Sequence, residues 1–221
     1  MTAEVTDRLA DSAESWPVRR SVTAFRGGVV SMRVDHVEMP DGDIAVRDVL
    51  VHPGSVGVMV LDDDNRVLLL RQYRHPVRRY LWEPPAGLLD EAGEDPLEAA
   101  KRELYEEAHL QAGRWDVLLD VFTSPGMTDE AVRIYLARDV SPADGPRYEG
   151  ADEEADMPTE WVPLDEAVRM AQRGDLHNAL AVMGVPAASA AAREAFAGLR
   201  PADADWPEMS AFTGSRSALG S

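Results

Sequence analysis

The stretch from Gly87 to Leu110, GLLDEAGEDPLEAAKRELYEEAHL, decides how the rest of the chain is read. Asp95 is an N-cap residue, Pro96 suits a first helical turn, and Glu98 stands where a capping box places its acid. A helix is predicted from about Asp95 to about His109. At about 100° per residue, Leu97, Ala100, Leu104 and Ala108 fall within an arc of about 80°, a core-facing stripe. Glu103, Glu106 and Glu107 fall together on its flank. Glu103 and Glu107 are like charges one turn apart, an arrangement that costs a helix a few tenths of a kcal/mol. Lys101 and Arg102 are the only basic residues of the helix, against Glu94, Glu98, Glu103, Glu106 and Glu107. A hard divalent cation, Mg²⁺ or Mn²⁺, would supply the missing positive charge through oxygen ligands. The ordinary alternative is a solvated acidic face on a surface helix.

Strand signals precede this helix. Val22–Phe25, Val29–Val37 and Ile44–Val51 alternate or are rich in branched residues, with turns at Gly27-Gly28 and Pro40-Asp41-Gly42-Asp43. Val56–Leu61 and Arg66–Arg71 flank Asp62-Asp63-Asp64-Asn65, a candidate hairpin, and Val67–Leu70 is apolar enough for a central strand. Beyond the helix, Val117–Phe122 and Ala131–Ala137 read as strands. Ser141–Met157 reads as a long acidic loop of the length that is often functional. Trp161-Val162 is a short strand, and Leu164–Arg173 and Asn178–Leu199 are helical by composition. The division expected is a leader and β extension over 1–52, a main domain over 53–200 and a flexible tail over 201–221. The class is α+β: an α/β/α sandwich with a mixed sheet, preceded by an N-terminal antiparallel β extension.

The chain's formal net charge is −18, from 22 Lys and Arg against 40 Asp and Glu, and it has no cysteine. That acidity argues against nucleic-acid polymers and anionic lipid, both of which require clustered cations. The missing cysteine excludes disulfides, thiolate metal sites and cysteine catalysis. Residues 1–15 are polar and acidic, unlike a signal peptide, and no apolar run is long enough to span a membrane, so a cytoplasmic location is expected.

The run Gly87, Glu94, Arg102-Glu103-Leu104-Tyr105-Glu106-Glu107 resembles the Nudix box, a loop–helix–loop that holds divalent metal against a diphosphate. Two departures stand out. Six residues separate Gly87 from Glu94 where the family usually has five, and His109 occupies a position where the family has a helix-ending glycine. The resemblance covers at least Val56 to Val162. It implies that Glu103 and Glu107 are the principal metal ligands and that Glu106 and the Ala86 carbonyl assist. Glu94 and Arg102 would order the cluster beside Gly87. Two or three Mg²⁺ or Mn²⁺ ions per site are implied.

Further segments resemble the ADP-ribose-hydrolysing subgroup. Pro125 lies fifteen residues beyond Leu110, within Ser124-Pro125-Gly126-Met127, although Pro-Gly is also a plain turn dipeptide. Arg71-Gln72-Tyr73-Arg74 and Trp82-Glu83-Pro84-Pro85-Ala86-Gly87 match the subgroup's wording. Arg47, Arg74 and Arg79 become candidates for phosphate or ribose, since a guanidinium fork pairs bidentately with phosphate oxygens. Surface ion pairing is the plain alternative for each. Glu83 and Met127 are further substrate candidates. Phe25 or Trp16 could stack on adenine, or simply pack in a core.

The activity implied is hydrolysis of a nucleoside diphosphate sugar, with ADP-ribose giving AMP and ribose 5-phosphate. In similar enzymes a glutamate on a late loop is the general base; Glu154 is the first choice and Glu153 the second. The resemblance also implies a homodimer that exchanges its N-terminal strands. The alternatives are the same chemistry on another nucleotide sugar or an oxidised nucleotide, and a non-catalytic ADP-ribose sensor. The intact box carboxylates weigh against the sensor.

Overall fold

Two runs of side chains that must leave water organise the larger part of the molecule. In the computed structural model, which describes residues 9–91, 93–148 and 157–209, every residue of Ser55–Val60 is buried, as are the first eight of Ala131–Pro142. The chain divides into two compact units, Met1–Val51 and His52–Ser221.

The first unit is an antiparallel meander of β1 (Val18–Arg26), β2 (Ser31–Glu38) and β3 (Ile44–Val51). Its turns fall at the expected glycines: Gly27 N–H donates to the Val30 carbonyl at 2.8 Å, and Gly42 adopts φ +89°. The buried Asp35 accepts from Ser21 Oγ at 2.6 Å and Arg33 Nε at 2.9 Å.

In the second unit β4 (Ser55–Val60) lies parallel to β9 (Ala131–Pro142) and antiparallel to β7 (Ala86–Leu88). With β8 (Leu110–Phe122) and β11 (Arg200–Pro201) they form a mixed sheet ordered β11-β8-β9-β4-β7. A smaller antiparallel sheet holds β5 (Arg66–Arg74) between β10 (Thr159–Pro163) and β6 (Arg79–Glu83). Strand alternation sends Val56, Val58, Val60, Tyr135 and Ala137 toward a cluster that includes Ala100 and Leu104 of α1 (Pro96–Ala108). Met59, Ile134 and Leu136 join the opposite cluster, which contains Ala167 of α2 (Leu164–Arg173) and Val185 of α3 (Ala179–Arg193). Helices therefore cover both faces of the central strands, which is the α/β/α sandwich expected.

Three expectations change. The candidate hairpin across Asp62–Asn65 is a tight connection, with a bridge between Leu61 and Val67, but its strands enter different sheets. β4 pairs instead with β9 and β7 along its two edges, and the helices bury its two faces. The loop predicted from Ser141 starts later, because β9 continues to Pro142. Residues 201–209 are packed rather than loose: Trp206 is buried, and Arg133 Nη1 and Nη2 donate to the Ala204 and Asp205 carbonyls at 2.7 and 3.0 Å. Among the described residues no helix is long and apolar enough to cross a membrane.

Candidate active site

Helix α1 begins as its sequence requires. Asp95 caps it, accepting from Leu97 N–H at 2.9 Å, while Glu98 turns to Lys101 Nζ at 2.7 Å instead of closing a capping box. Burial of Ala99, Ala100 and Leu104 rotates the helix so that Glu103 and Glu107 are drawn inward and are almost buried as well. At the other end His109 takes the left-handed conformation, φ 53° and ψ 42°, that the family's glycine would adopt, and its N–H returns to the Leu104 and Tyr105 carbonyls.

Strand β7 is the second wall. Its Ala86 N–H donates to Glu107 Oε2 at 2.9 Å. Gly87 lies so close to Glu103 that an added β-carbon would stand 1.9 Å from Oε1. Arg102 is the hub of the cluster. Nε and Nη2 form a fork with the two oxygens of Glu94, at 2.9 and 3.0 Å, and Nη1 reaches Glu103 at 2.7 Å and Glu106 at 3.2 Å. Its hydrogen bonds hold the Glu94 carboxyl below the usual carboxylate range, and Glu94 in turn raises the guanidinium's pKa.

Three carboxylates thus meet one guanidinium, Glu107 is held by β7, and Glu103 and Glu107 are nearly out of water. Among the described residues no three His, Asp or Glu side chains converge closely enough to enclose an ion by themselves. Mg²⁺ dehydrates reluctantly and commonly takes one or two carboxylates plus waters and substrate phosphates. Glu103, Glu107, Glu106 and the Ala86 carbonyl are donors of the right chemistry for it.

A second group lies just upstream on β5 and β6. Glu83 is only 1% exposed. Arg74 grips it through Nε to Oε1 at 2.9 Å and Nη2 to Oε2 at 3.1 Å, and Asn178 Nδ2 donates to Oε2 as well. Burial raises the Glu83 pKa, and Arg74 opposes that rise. Arg79 pairs across the strands with Arg74 and lines a cleft of ≈ 330 Å³ with Arg71, Tyr80, Trp82 and His177.

Met127 is exposed on the turn between β8 and β9, where its N–H donates to the Ser124 carbonyl at 2.9 Å. Glu130 ties the base of that turn to β4 by accepting from Ser55 Oγ at 3.3 Å and from Thr123 Oγ1. Arg47 and Phe25 belong to the N-terminal unit, and both are exposed there. Trp16 is exposed too and donates to Glu14. Glu153 and Glu154 lie outside the described residues. Sequence reasoning missed Asn178 as a site residue. Its N-cap signal was visible, but its carboxylate partner is far away in the chain.

A box glycine beneath a buried glutamate, a second glutamate tied to the adjoining strand and an arginine binding the rest define a Nudix site. The chain belongs to the Nudix family, and its residues 51–182 match the NUDIX domain. It is 45% identical over 186 residues to an ADP-ribose pyrophosphatase of Mycobacterium tuberculosis, covering 84% of this chain and 88% of that protein. It is 34% identical to an ADP-ribose pyrophosphatase of Bacillus subtilis, over 70% of this chain and 82% of the relative. It is also 35% identical to a methanol dehydrogenase activator of Bacillus methanolicus, over 73% and 85%. A crystal structure of an ADP compounds hydrolase shares the fold, with a TM-score of 0.70, 21% identity and coverage of 84% of this chain and 98% of that one.

Proposed function

We propose that this Nudix hydrolase splits the diphosphate of ADP-ribose into AMP and ribose 5-phosphate with the help of Mg²⁺ or Mn²⁺. The observation that carries the reading is the placement of nearly buried Glu103 and Glu107 against Gly87 and Ala86, with Arg102 paired to Glu103. Substrate choice is supported by the kinship with two ADP-ribose pyrophosphatases.

Glu103 and Glu107 would ligate metal, with Glu106 and the Ala86 carbonyl completing the set. Bound there, two or three cations would offset the diphosphate charge and make water a nucleophile near neutral pH. The chain's own groups do the rest. Arg102 keeps the glutamates apart from one another's repulsion and oriented. Arg74 offers the outer edge of its guanidinium to a phosphate oxygen, and Arg79 lines the adjoining cleft. Glu154, or failing it Glu153, takes the proton of the attacking water. Arg47 and Phe25 would meet phosphate and adenine from the N-terminal strands, and Met127 would border the substrate. The exposed Val22, Phe25, Ile44 and Val46 of those strands support a homodimer built through them. A cytoplasmic location fits an enzyme of a nucleotide metabolite.

Incubation with ADP-ribose, GDP-mannose, NADH and 8-oxo-dGTP, with products separated by chromatography, tests the reading. ADP-ribose should give equimolar AMP and ribose 5-phosphate at the highest kcat/KM. Turnover should stop with EDTA and return with Mg²⁺. Turnover that survives EDTA, or a clear preference for another of the four, would reject it.

A further inference from the structure

One amide ties the start of α3 to the candidate site. Asn178 caps that helix, its Oδ1 accepting from Ala181 N–H at 3.1 Å. The other half of the same amide, Nδ2, donates to Glu83 Oε2. The helix that carries Asn178 is closely seated. A β-carbon on Gly57 of β4 would stand 2.6 Å from Leu180 Cδ2, and one on Gly184 would stand 2.9 Å from Met59. Contacts this close leave α3 no room to shift, so the capping amide is delivered to a fixed place.

Glu83 and Arg74 differ in what surrounds them. The Glu83 side chain is 1% exposed and that of Arg74 is 42% exposed. Without water, the orientation of the Glu83 carboxylate is set by its donors, which are Arg74 and Asn178. Arg74 spends Nε and Nη2 on that carboxylate, and among the described residues its Nη1 donates to no group. A guanidinium pinned along one edge presents the other in a fixed direction, which suits an oxyanion. β6 then runs through Pro84-Pro85 into Ala86, so this pair stands beside the strand that meets Glu107.

We propose that Asn178 is a positioning residue for the substrate's diphosphate: it fixes the Glu83 carboxylate, and through it the face that Arg74 turns to a phosphate oxygen. The inference rests on Arg74 being a phosphate contact. Asn178 itself touches no reacting atom. If its amide served only as a cap, substrate affinity would be indifferent to Nδ2.

Asn178→Ser and Asn178→Asp both keep a side-chain oxygen able to cap α3, and both remove the amide donor. With ADP-ribose at saturating Mg²⁺, each should raise KM by about 5- to 20-fold and change kcat by less than about twofold, the pattern of a lost binding contact. Circular dichroism and thermal melting should show a folded protein with a Tm near that of the parent. Arg74→Ala should raise KM as well, and adding Asn178→Ser to it should raise KM no further, because both changes remove one interaction. Asn178→Asp sets a carboxylate against Glu83; if that variant fails to fold, the serine variant carries the comparison. A folded Asn178→Ser enzyme with unchanged KM, or KM effects that multiply in the double variant, would overturn the role of Asn178 while leaving Arg74 in place. An unchanged KM in Arg74→Ala would instead remove the phosphate contact and the inference with it.

Discussion

Glu103 lies over Gly87 with its Oε1 1.9 Å from where a β-carbon would be. The glycine is therefore required by a carboxylate and not by a turn, since no positive φ is recorded for it. Gly87→Ala should push Glu103 off its position. The expected result is a fall in kcat/KM of at least about tenfold and a higher Mg²⁺ requirement, with a stability loss of about 1–3 kcal/mol from overpacking. Urea unfolding and a Mg²⁺ titration of the rate measure these separately. Full activity at the parent's Mg²⁺ concentration would mean that the placement of Glu103 has no bearing on metal.

Arg102 bridges Glu94, Glu103 and Glu106, so Arg102→Ala removes the cation they share. Without metal the variant should lose about 1.5–3 kcal/mol at neutral pH, the usual worth of hydrogen bonds to charged groups. The sign with pH follows from Glu94, whose folded carboxyl is held below its ordinary value chiefly by the hydrogen bond from Arg102. Its contribution is present above the unfolded carboxylate range and fades as pH falls through the lowered folded value. The Tm gap between parent and variant should therefore narrow on acidification below that range. A gap that widens would show that Arg102 does not stabilise the charged form of Glu94.

How much of this could be read from the chain depends on how local each determinant is. The helix, its cap and the shared flank of its glutamates were legible, because spacing within one helix fixes which residues share a face; the burial of Glu103 and Glu107 was not. The turn at Asp62–Asn65 was legible for the same reason, but not the separation of β4 from β5, which depends on partners far along the chain. Arg133 looks like an ordinary charged residue in a strand. Its burial follows only once Asp120 and the carbonyls of Ala204 and Asp205 surround it. Asn178 announces a helix start, yet nothing near it in sequence announces Glu83.

The choice of base can be settled by kinetics. Glu154→Gln should lower kcat by about 10²- to 10⁴-fold, the usual contribution of a positioned general base, with KM for ADP-ribose little changed. Glu153→Gln should act far more weakly. If the larger loss follows Glu153→Gln the assignment moves to that residue, and if neither variant is slowed the base lies elsewhere.

The C-terminal segment gives a prediction about stability. Arg133 is 2% exposed and forms a fork with Asp120 at 2.8 and 2.9 Å, while its guanidinium carbon stands 4.9 Å from the centre of the Trp206 ring. Asp120 also accepts from Arg200 Nη1 at 2.7 Å, so one buried carboxylate holds both the strand and the returning chain. Two nearby carbonyls depend on Arg133 for their hydrogen bonds. Removing the cation would leave the carboxylate to Arg200 alone and those carbonyls without this donor, so Arg133→Ala should cost about 1.5–3 kcal/mol. Trp206→Ala removes packing together with the ring's contact to the Arg133 guanidinium, and should cost about 3–5 kcal/mol if the site cannot collapse. Arg133 contacts both the carboxylate and the ring, so the two losses should not add. The double variant should fall well short of their sum in urea unfolding. Strict additivity would mean that Trp206 is held independently of Arg133.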